Sequence, residues 1–156
     1  MARRHRAEKR AVMPDLRFNN HLVGRLISIV MKAGRKTTAE SVVYGMLDFI
    51  GKQQPDEPLE VLIRSVENIK PKIEVKSRRV GGATYQVPVE IGSDRQLALA
   101  LRWLIQYAQA RKGVPMWKAM ALELLDAYKN QGNAIKKRDD THKMAQANKA
   151  FAHYKW

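Results

Sequence analysis

Apolar side chains recur at helical spacing along most of the chain, which predicts a mainly helical protein. From Asn19 or Asn20 to Gly34, leucine, isoleucine and valine return every three or four residues, the period of an amphipathic helix. The same pattern predicts helices over residues 37–51, 58–70, 97–111 and 116–128, and a weaker, alanine-rich one over 133–156. Segment 97–111 is apolar on nearly all sides, so we expect it in the middle of the fold, whereas 133–156 is too polar to join the core.

Local signals mark where the helices begin and end. Thr37–Glu40 and Ser93–Gln96 each match the capping-box pattern, in which a serine or threonine side chain caps the first turn of a helix. Pro58 suits a first-turn position, where its missing N–H costs nothing. Pro71 ends the third helix, and the helical period stops there.

Residues 72–91 follow a different pattern and predict a β-hairpin. Two runs rich in valine, isoleucine, threonine and tyrosine flank Gly81-Gly82, which is a turn signal between strands. The first run carries four basic side chains against one acid, Glu74: Lys72, Lys76, Arg78 and Arg79. A single basic hairpin on a helical body indicates a surface that contacts an anion, and the alternative is an ordinary surface hairpin with solvated charges.

The register of this hairpin is predicted by matching its apolar side chains. An odd-numbered loop pairs Val75 with Val89 and Ile73 with Ile91, which keeps both apolar sets on one face, whereas an even-numbered loop pairs Val89 with Glu74. We therefore expect a loop of three or five residues. The remaining pairs follow from that choice: Arg79 with Tyr85 near the tip, and Lys76 and Arg78 on the other face, opposite Gln86 and Pro88.

Composition adds the expectation of a polyanionic partner. The chain has 156 residues, which suits one domain with a hydrophobic core, divided into a basic arm at 1–18, a helical body with the hairpin at 19–132 and a C-terminal helix at 133–156. Its net charge is +14. Residues 1–36 hold ten basic and two acidic side chains, whereas residues 37–71 hold three and six. This segregation favours dedicated basic faces over a uniformly solvated surface.

Several classes of protein are disfavoured. The chain has no cysteine, so it has neither a disulfide framework nor a thiolate metal site. No apolar segment follows the basic N-terminus as in a signal peptide, and no apolar run approaches the roughly 20 residues of a membrane-spanning helix. We therefore expect a soluble, cytoplasmic protein that does not enter a membrane.

The sequence offers no constellation of catalytic residues. The four histidines form no H-x-x-x-H pair, and the chain lacks G-x-S-x-G, Walker A and G-x-G-x-x-G motifs. Asp139, Asp140 and His142 lie close in sequence, but such a group is common by chance on an exposed helix. We expect no catalytic residue, no cofactor and no metal site.

Binding of a polyanion is the better-supported chemistry. The N-terminal arm has the composition of segments that order against phosphate, although a solubilising tail would have the same composition. Tyr85 is expected to stack on a base, Trp103 and Tyr107 are expected in the core, and Trp117 fits packing and contact equally well. The basic side chains of the arm are Arg3, Arg4, Arg6, Lys9 and Arg10.

Four segments carry a family resemblance: MARRHRAEKR, PDLRFNN, RRVGGATYQVPVEI and KKRDDTHKMAQANKAFAHYKW. In this order they resemble the universal ribosomal protein seven family of the bacterial small subunit. The resemblance covers essentially the whole chain, and its hairpin and C-terminal motifs are long and specific. It implies a mainly α fold of about six helices with a protruding antiparallel hairpin, and a structural rather than enzymatic role.

The resemblance also implies partners and contact residues. It implies a primary binder of 16S ribosomal RNA that binds the 3′ major domain, nucleates assembly of the subunit head, and lies near the exit-site tRNA and the outgoing mRNA. Small-subunit ribosomal proteins nine and eleven would be its neighbours. The rRNA contacts implied beyond the arm are Lys32, Arg35, Lys36, Lys76, Arg78, Arg79, Arg95, Arg111 and Lys112. The side chains implied to face the exit-site tRNA and the eleventh protein are Lys136, Lys137, Arg138 and Lys143.

Two other classes of protein remain as alternatives. An architectural DNA-binding protein also combines a helical body with a basic β-ribbon, but such ribbons often insert an apolar wedge near the tip, and the tip here is Val80-Gly81-Gly82-Ala83. A small RNA-processing enzyme is disfavoured because the chain lacks a catalytic constellation. We therefore expect cations that neutralise phosphates and an RNA that is recognised mainly by its shape.

Overall fold

The computed structural model describes residues 12–154, and the arm cations from Arg3 to Arg10 lie outside this range. The described chain forms six α-helices, one two-stranded hairpin and a short 3₁₀ helix, which confirms the predicted mainly helical class. In chain order the elements are α1 (His21–Val30), α2 (Lys36–Gln53), α3 (Pro58–Ile69), β1 (Ile73–Val80), β2 (Ala83–Glu90), α4 (Ser93–Ala110), α5 (Met116–Tyr128), α6 (Asn133–Ala147) and the C-terminal 3₁₀ helix (Lys149–Tyr154).

Two of the predicted helix starts are confirmed. The Asn20 side chain accepts a hydrogen bond from the Leu22 amide at 2.8 Å and so caps α1. Pro58 occupies the first turn of α3, where a residue without an N–H is tolerated.

Both predicted capping boxes are wrong. The N-cap positions of α2 and α4 are taken by Arg35 and Gly92, and neither helix has a side-chain cap. Thr37 and Ser93 therefore already lie in the first turn, where their hydroxyls are past the capping position. The Gln96 amide instead donates to the Ile91 carbonyl at 2.8 Å, which ties α4 to the end of β2.

Two helices lie in the middle of the body. α4, which the sequence pattern predicted there, contacts α1, α3, α5 and α6. α5 contacts α2, α3, α4 and α6 and has no exposed residue, and its small side chains Ala119, Ala121 and Ala127 are buried. By contrast, α4 exposes Arg102 and Gln106 to solvent. The core is completed by buried leucine, isoleucine, valine and methionine side chains from α1, α2, α3 and α4.

The C-terminal helix belongs to the core, which corrects the expectation from its polar composition. Ala134 is fully buried and Ile135 is 4% exposed, and both pack in the main hydrophobic cluster. Thr141 and Ala145 further along α6 are also buried, so one face of this helix packs against the rest of the protein. Most of the remaining helix is polar and lies at the surface.

The aromatic side chains of the body serve packing. Trp103 is 8% exposed in the core, and Tyr107 packs against the same cluster, as predicted. The Trp117 ring lies 5.7 Å from Phe49 in an edge-to-face arrangement and covers Gly45. Any side chain at Gly45 would meet the indole, so packing accounts for the position of Trp117.

The hairpin occupies the predicted segment, but its predicted register is wrong. The loop has two residues, and Val89 pairs with Glu74 rather than with Val75. Gly81 and Gly82 adopt φ values of 57° and 89°, which are the positive values that a two-residue hairpin turn requires. Tyr85 consequently pairs with Arg78 instead of Arg79.

The two-glycine turn and one ion pair explain why the pairing of apolar side chains across the two strands does not determine the register. Two consecutive glycines adopt the tight turn without steric cost. The same register places Glu74 on the face of Val87, which is fully buried. The Glu74 carboxylate is satisfied there by Arg95, so a charged side chain is accommodated on the packed face of the hairpin.

Candidate nucleic-acid interface

The turn between α1 and α2 presents two exposed cations beside an apolar groove. Lys32 and Arg35 have no ion-pair partner in the described part of the chain. Lys36, the third predicted cation of this turn, lies 3.7 Å from Glu40. The groove below the turn is lined by side chains from α1, α2, α4 and α5, among them Val30, Val42, Ile105, Gln109 and Met116.

Asp15 fixes the chain where the basic arm joins the body. Its carboxylate is 7% exposed and accepts backbone N–H bonds from Arg17, Phe18 and Asn20 at 2.9 to 3.1 Å. Burial alone would raise the pKa of Asp15, but these donors and the Tyr44 hydroxyl favour the charged carboxylate and hold the pKa below its ordinary value. The root of the arm is therefore held firmly.

The arm leaves the body beside the α1–α2 turn. Val12 and Met13 line a groove together with Ser28 and Lys36. The five predicted arm cations precede this point in the chain and lie outside the described residues. Their contribution to binding stays a prediction.

The two predicted RNA contacts at the loop between α4 and α5 have different environments. Arg111 is held by acids of the protein, whereas Lys112 is exposed. Arg111 donates to the Glu123 carboxylate from Nε at 3.1 Å and from an Nη at 2.6 Å, and also to Asp126. Burial lowers the pKa of Arg111, but the two carboxylates outweigh burial and raise it. Lys112 is exposed and has no ion-pair partner among residues 12–154. Arg111 thus fixes the loop to α5, and Lys112 is the cation of this loop that is exposed to solvent.

At the base of the hairpin, two predicted cations share one carboxylate. Arg95 binds Glu74 through two hydrogen bonds of 2.8 and 2.9 Å, and Lys76 lies 3.5 Å from the same carboxylate. Burial would raise the pKa of Glu74, but Arg95 and Lys76 together lower it below its ordinary value. Arg95 and Lys76 are therefore partly neutralised within the protein.

The distal half of the hairpin presents Arg79. This side chain is exposed, and no described acid lies within ion-pair distance of it. Arg78 is half-buried, and its guanidinium donates to the main-chain carbonyl of Tyr154. Tyr85 is half-buried and contacts two aromatic rings of the C-terminal 3₁₀ helix, and its predicted role in base stacking stays a prediction.

The predicted cations of α6 also fall into two groups. Arg138 binds Asp139 at 2.7 Å and donates to the Asn68 carbonyl, so it joins α6 to the end of α3. Lys136 and Lys143 are exposed, and Lys137 is half-buried. None of these three lysines has an ion-pair partner within the described chain.

His142 joins α6 to the base of the hairpin. Its Nε2 accepts a hydrogen bond from the Lys72 amide at 3.0 Å, so Nε2 is unprotonated in this geometry. Burial lowers the pKa of His142, and the positive charges of Arg138 and Lys72 lower it further against the opposing effect of Asp139. Lys72 and His142 line a groove together with Glu90 and Lys149.

We expect the stability of the protein to fall as the pH drops through the range in which His142 titrates. The pKa of His142 is lower in the folded state than its ordinary value of 6.5, so the unfolded state binds the proton more tightly. The contribution is present above about pH 6.5 and is lost as the pH falls through the folded pKa. Urea unfolding at pH 7.5 and 5.5 measures the loss. His142→Gln is the control, since its amide oxygen accepts the Lys72 hydrogen bond without titrating, and an equal loss in both proteins would contradict the assignment.

The exposed cations form two groups at opposite ends of α4. Gln109, near the last turn of α4, lines the groove of the α1–α2 turn, whereas Arg95, in its first turn, binds Glu74 at the base of the hairpin. An α-helix of 18 residues spans about 27 Å at a rise of 1.5 Å per residue. One group, with Lys32, Arg35 and Lys112, thus lies towards the end of this helix, and the base of the hairpin lies at its beginning.

The sequence pattern missed the two acids that organise this surface. Glu123 is fully buried and holds Arg111, while its other oxygen accepts from the Ala134 amide at 2.9 Å. Glu74 holds Arg95 and Lys76. The available signal for Glu123 is an acid placed between Leu122 and Leu124 in an apolar stretch of α5, because a buried carboxylate requires partners. No local pattern identifies the partners themselves.

Two further classes of site are absent from the described chain. Between residues 12 and 154, no three histidine, aspartate or glutamate side chains are grouped closely enough to hold a metal ion. In the same range, none of the helices combines the length and hydrophobicity needed to span a bilayer.

Comparison with known proteins places this arrangement in context. A family model described as ribosomal protein S7p/S5e matches residues 2–149. Proteins named small ribosomal subunit protein uS7 are 52% identical in Azorhizobium caulinodans and 51% identical in Geobacter sulfurreducens and in Anaeromyxobacter sp. strain Fw109-5. Each alignment covers 156 residues, which is the full length of both proteins.

Proposed function

This chain belongs to the ribosomal protein S7p/S5e family, and on that premise we propose how its basic surface binds ribosomal RNA. It is a structural, non-enzymatic constituent of the small ribosomal subunit and binds rRNA there. We propose that its target is the 3′ major domain of 16S rRNA and that its binding nucleates assembly of the subunit head.

The separation of the exposed cations carries this proposal. Lys32, Arg35 and Lys112 lie at one end of α4, and Arg79 extends from the hairpin at the other. Two basic groups at opposite ends of a helix about 27 Å long contact RNA segments that are brought to matching positions only in the folded domain. Because the protein binds this arrangement better than the unfolded RNA, binding shifts the RNA towards its folded state.

Phosphate contacts supply most of the proposed affinity. Lysine and arginine release condensed counterions when they neutralise phosphates, so the affinity depends strongly on salt. The deep major groove of an RNA helix is hard for side chains to read, so recognition rests on shape, loops and backbone rather than on a base code. The five arm cations are further proposed phosphate contacts, and Val12 and Met13, the first described residues after them, line a groove with Lys36.

The cations of α6 are proposed to face other partners. Lys136, Lys137 and Lys143 have no ion-pair partner within residues 12–154, so their charges are available to a phosphate backbone or to an acidic protein surface. In line with the family resemblance, we place this helix near the exit-site tRNA and the outgoing mRNA. Ribosomal proteins nine and eleven of the small subunit are the proposed protein neighbours.

Family membership decides between rRNA and the architectural DNA-binding alternative. The hairpin tip agrees with this choice, because its turn consists of two glycines and offers no apolar wedge to insert between base pairs.

Arg79→Ala is expected to weaken binding to a 16S 3′ major domain fragment and to flatten the salt dependence. One lost phosphate contact lowers the slope of log K against log salt by about 0.7 to 0.9 units. Titration of fluorescently labelled RNA at several salt concentrations measures both quantities. Arg17→Ala is the matched control, because it removes the same charge from a side chain that is already paired with Asp48. An unchanged slope for Arg79→Ala would show that this side chain touches no phosphate.

A further inference from the structure

The distal half of the hairpin needs a support that its base does not provide. The hairpin is a sheet of only two strands, and such a sheet is at best marginally stable in water without further packing. Its base is held by Val87, which is fully buried, by Ile91, which is 6% exposed, and by the ion pair of Glu74 with Arg95. These contacts lie on the side of Tyr85 that is away from the turn.

The C-terminal 3₁₀ helix supplies an aromatic contact at this point. The Tyr85 ring lies 5.3 Å from Phe151 and 5.0 Å from Tyr154, measured between ring centroids, with interplanar angles of 48° and 34°. Phe151 and Tyr154 are stacked on each other at 6.5 Å. These separations fall in the range that aromatic pairs prefer. We call Tyr85, Phe151 and Tyr154 the aromatic clasp.

The opposite strand is tied to the same 3₁₀ helix. Arg78 pairs with Tyr85 across the hairpin, and its guanidinium donates to the Tyr154 carbonyl. Both strands are therefore fixed at one cross-strand pair. Beyond it lie only two further pairs and the two-glycine turn, and the first of these pairs contains Arg79.

We propose that the aromatic clasp positions the hairpin for RNA, and that Tyr85, Phe151 and Tyr154 are positioning residues that act through Arg79. The inference rests on the proposed function, in that Arg79 is the residue that contacts RNA. The clasp limits the motion of the distal strands before binding, so less conformational entropy is lost when Arg79 meets its phosphate.

The chemistry of the clasp predicts which substitutions preserve it. The Tyr85 hydroxyl makes no hydrogen bond to another residue in the described chain, so the ring rather than the hydroxyl carries the contact. Tyr85→Phe is therefore expected to behave like the natural protein, whereas Tyr85→Ala is expected to lose the clasp. A role in which the phenol itself binds RNA would give the opposite result for Tyr85→Phe.

Hydrogen exchange of the free protein tests the clasp without RNA. Each aromatic pair contributes a factor of roughly two to ten to an opening equilibrium. Phe151→Ala combined with Tyr154→Ala is expected to speed exchange of the hairpin amides between residues 76 and 86 by about tenfold or more. Met144→Ala is the control, since Met144 is half exposed on the neighbouring α6 and belongs to no aromatic pair. Unchanged exchange in the double variant would overturn the inference.

A mutant cycle tests whether the clasp acts through Arg79. Arg79→Ala and Arg35→Ala are each introduced into the natural protein and into the Phe151→Ala, Tyr154→Ala background, and affinity for the 16S 3′ major domain fragment is measured. The Arg79→Ala effect is expected to shrink by at least about threefold in the unclasped background, because a loose hairpin no longer presents this arginine. The Arg35→Ala effect is expected to persist, since the α1–α2 turn does not touch the clasp.

The outcomes separate the inference from the function on which it rests. Equal Arg79→Ala effects in both backgrounds would overturn the positioning role. A parallel loss of the Arg79 and Arg35 effects would also overturn it, because it would indicate general destabilisation. If Arg79→Ala had no effect in either background, the proposed RNA contact of the hairpin would fail, while faster exchange would still show that the clasp holds the hairpin in the free protein.

Discussion

Replacing Glu123 with alanine is expected to lower the free energy of unfolding by about 3 to 5 kcal/mol, the usual cost of removing one partner of a buried ion pair. Glu123 is completely buried in α5, and the substitution leaves the Arg111 guanidinium without its main partner. It also leaves the Ala134 amide at the start of α6 without an acceptor. The substitution is therefore also expected to weaken the packing of α6 against the rest of the protein.

Two further variants make this prediction specific. Asp126→Ala also removes a carboxylate that binds Arg111, but Asp126 is 43% exposed, so its loss is expected to cost about 1 kcal/mol or less. Glu123→Gln keeps an oxygen for the Ala134 amide and is expected to fall between the two alanine variants. Urea unfolding followed by circular dichroism measures all three. A Glu123→Ala protein as stable as Asp126→Ala would show that the buried carboxylate does not organise this region.

The largest expected effect on RNA binding comes from the cations at the α1–α2 turn and the α4–α5 loop. Replacing Lys32, Arg35 and Lys112 together with alanine is expected to reduce the affinity for the 16S 3′ major domain fragment about 100-fold near physiological salt. The slope of log K against log salt is expected to fall by about two to three units, because three phosphate contacts are lost. Stability should change little, since all three side chains are exposed and unpaired within residues 12–154.

A matched triple variant separates position from net charge. Replacing Arg17, Arg64 and Lys70 with alanine removes the same three charges from side chains that are held by Asp48, by the Tyr128 hydroxyl and by Glu67. This protein is expected to keep most of its affinity. If both triple variants bound equally weakly, net charge alone would control binding, and the proposed interface at the turn would be contradicted.

The helices were predictable because their signals are local. The apolar period identified α1 to α5, and Asn20 and Pro58 marked two starts correctly, because capping and first-turn effects depend on a few adjacent residues. The single helix predicted over 133–156 is instead α6 followed by the separate 3₁₀ helix. The capping boxes at Thr37 and Ser93 were wrong by a residue or two at the helix start. Such a shift is small in space, yet it moves a side chain from the cap into the first turn.

The register and the buried acid were not predictable in the same way. Matching apolar side chains favoured the pairing of Val75 with Val89, but the observed register depends on a distant partner, since Arg95 of α4 satisfies Glu74. The docking of α6 depends similarly on Glu123 of α5. Both are contacts between elements that are not adjacent, and a single sequence does not reveal which charges meet in space.

The family and the anionic partner were predictable because they rest on motifs and on charge. Which basic residues are paired within the protein and which remain available to RNA was not predictable. Arg111 and Arg138 are as basic as Lys112 and Lys136 in the sequence, yet the structure gives the first two carboxylate and carbonyl partners inside the protein. Selecting the residues that remain available to RNA therefore requires the positions of the acids.

The aromatic clasp has a consequence for protein synthesis, because it joins parts of the chain that are made at different times. Arg78 and Tyr154 are 76 residues apart. At roughly 5 to 20 residues per second, the translating ribosome completes the hairpin several seconds before it makes the 3₁₀ helix. A nascent chain thus carries an unclasped hairpin, and on our proposal its distal half becomes ordered only when the segment 149–154 has been made and is free to fold back.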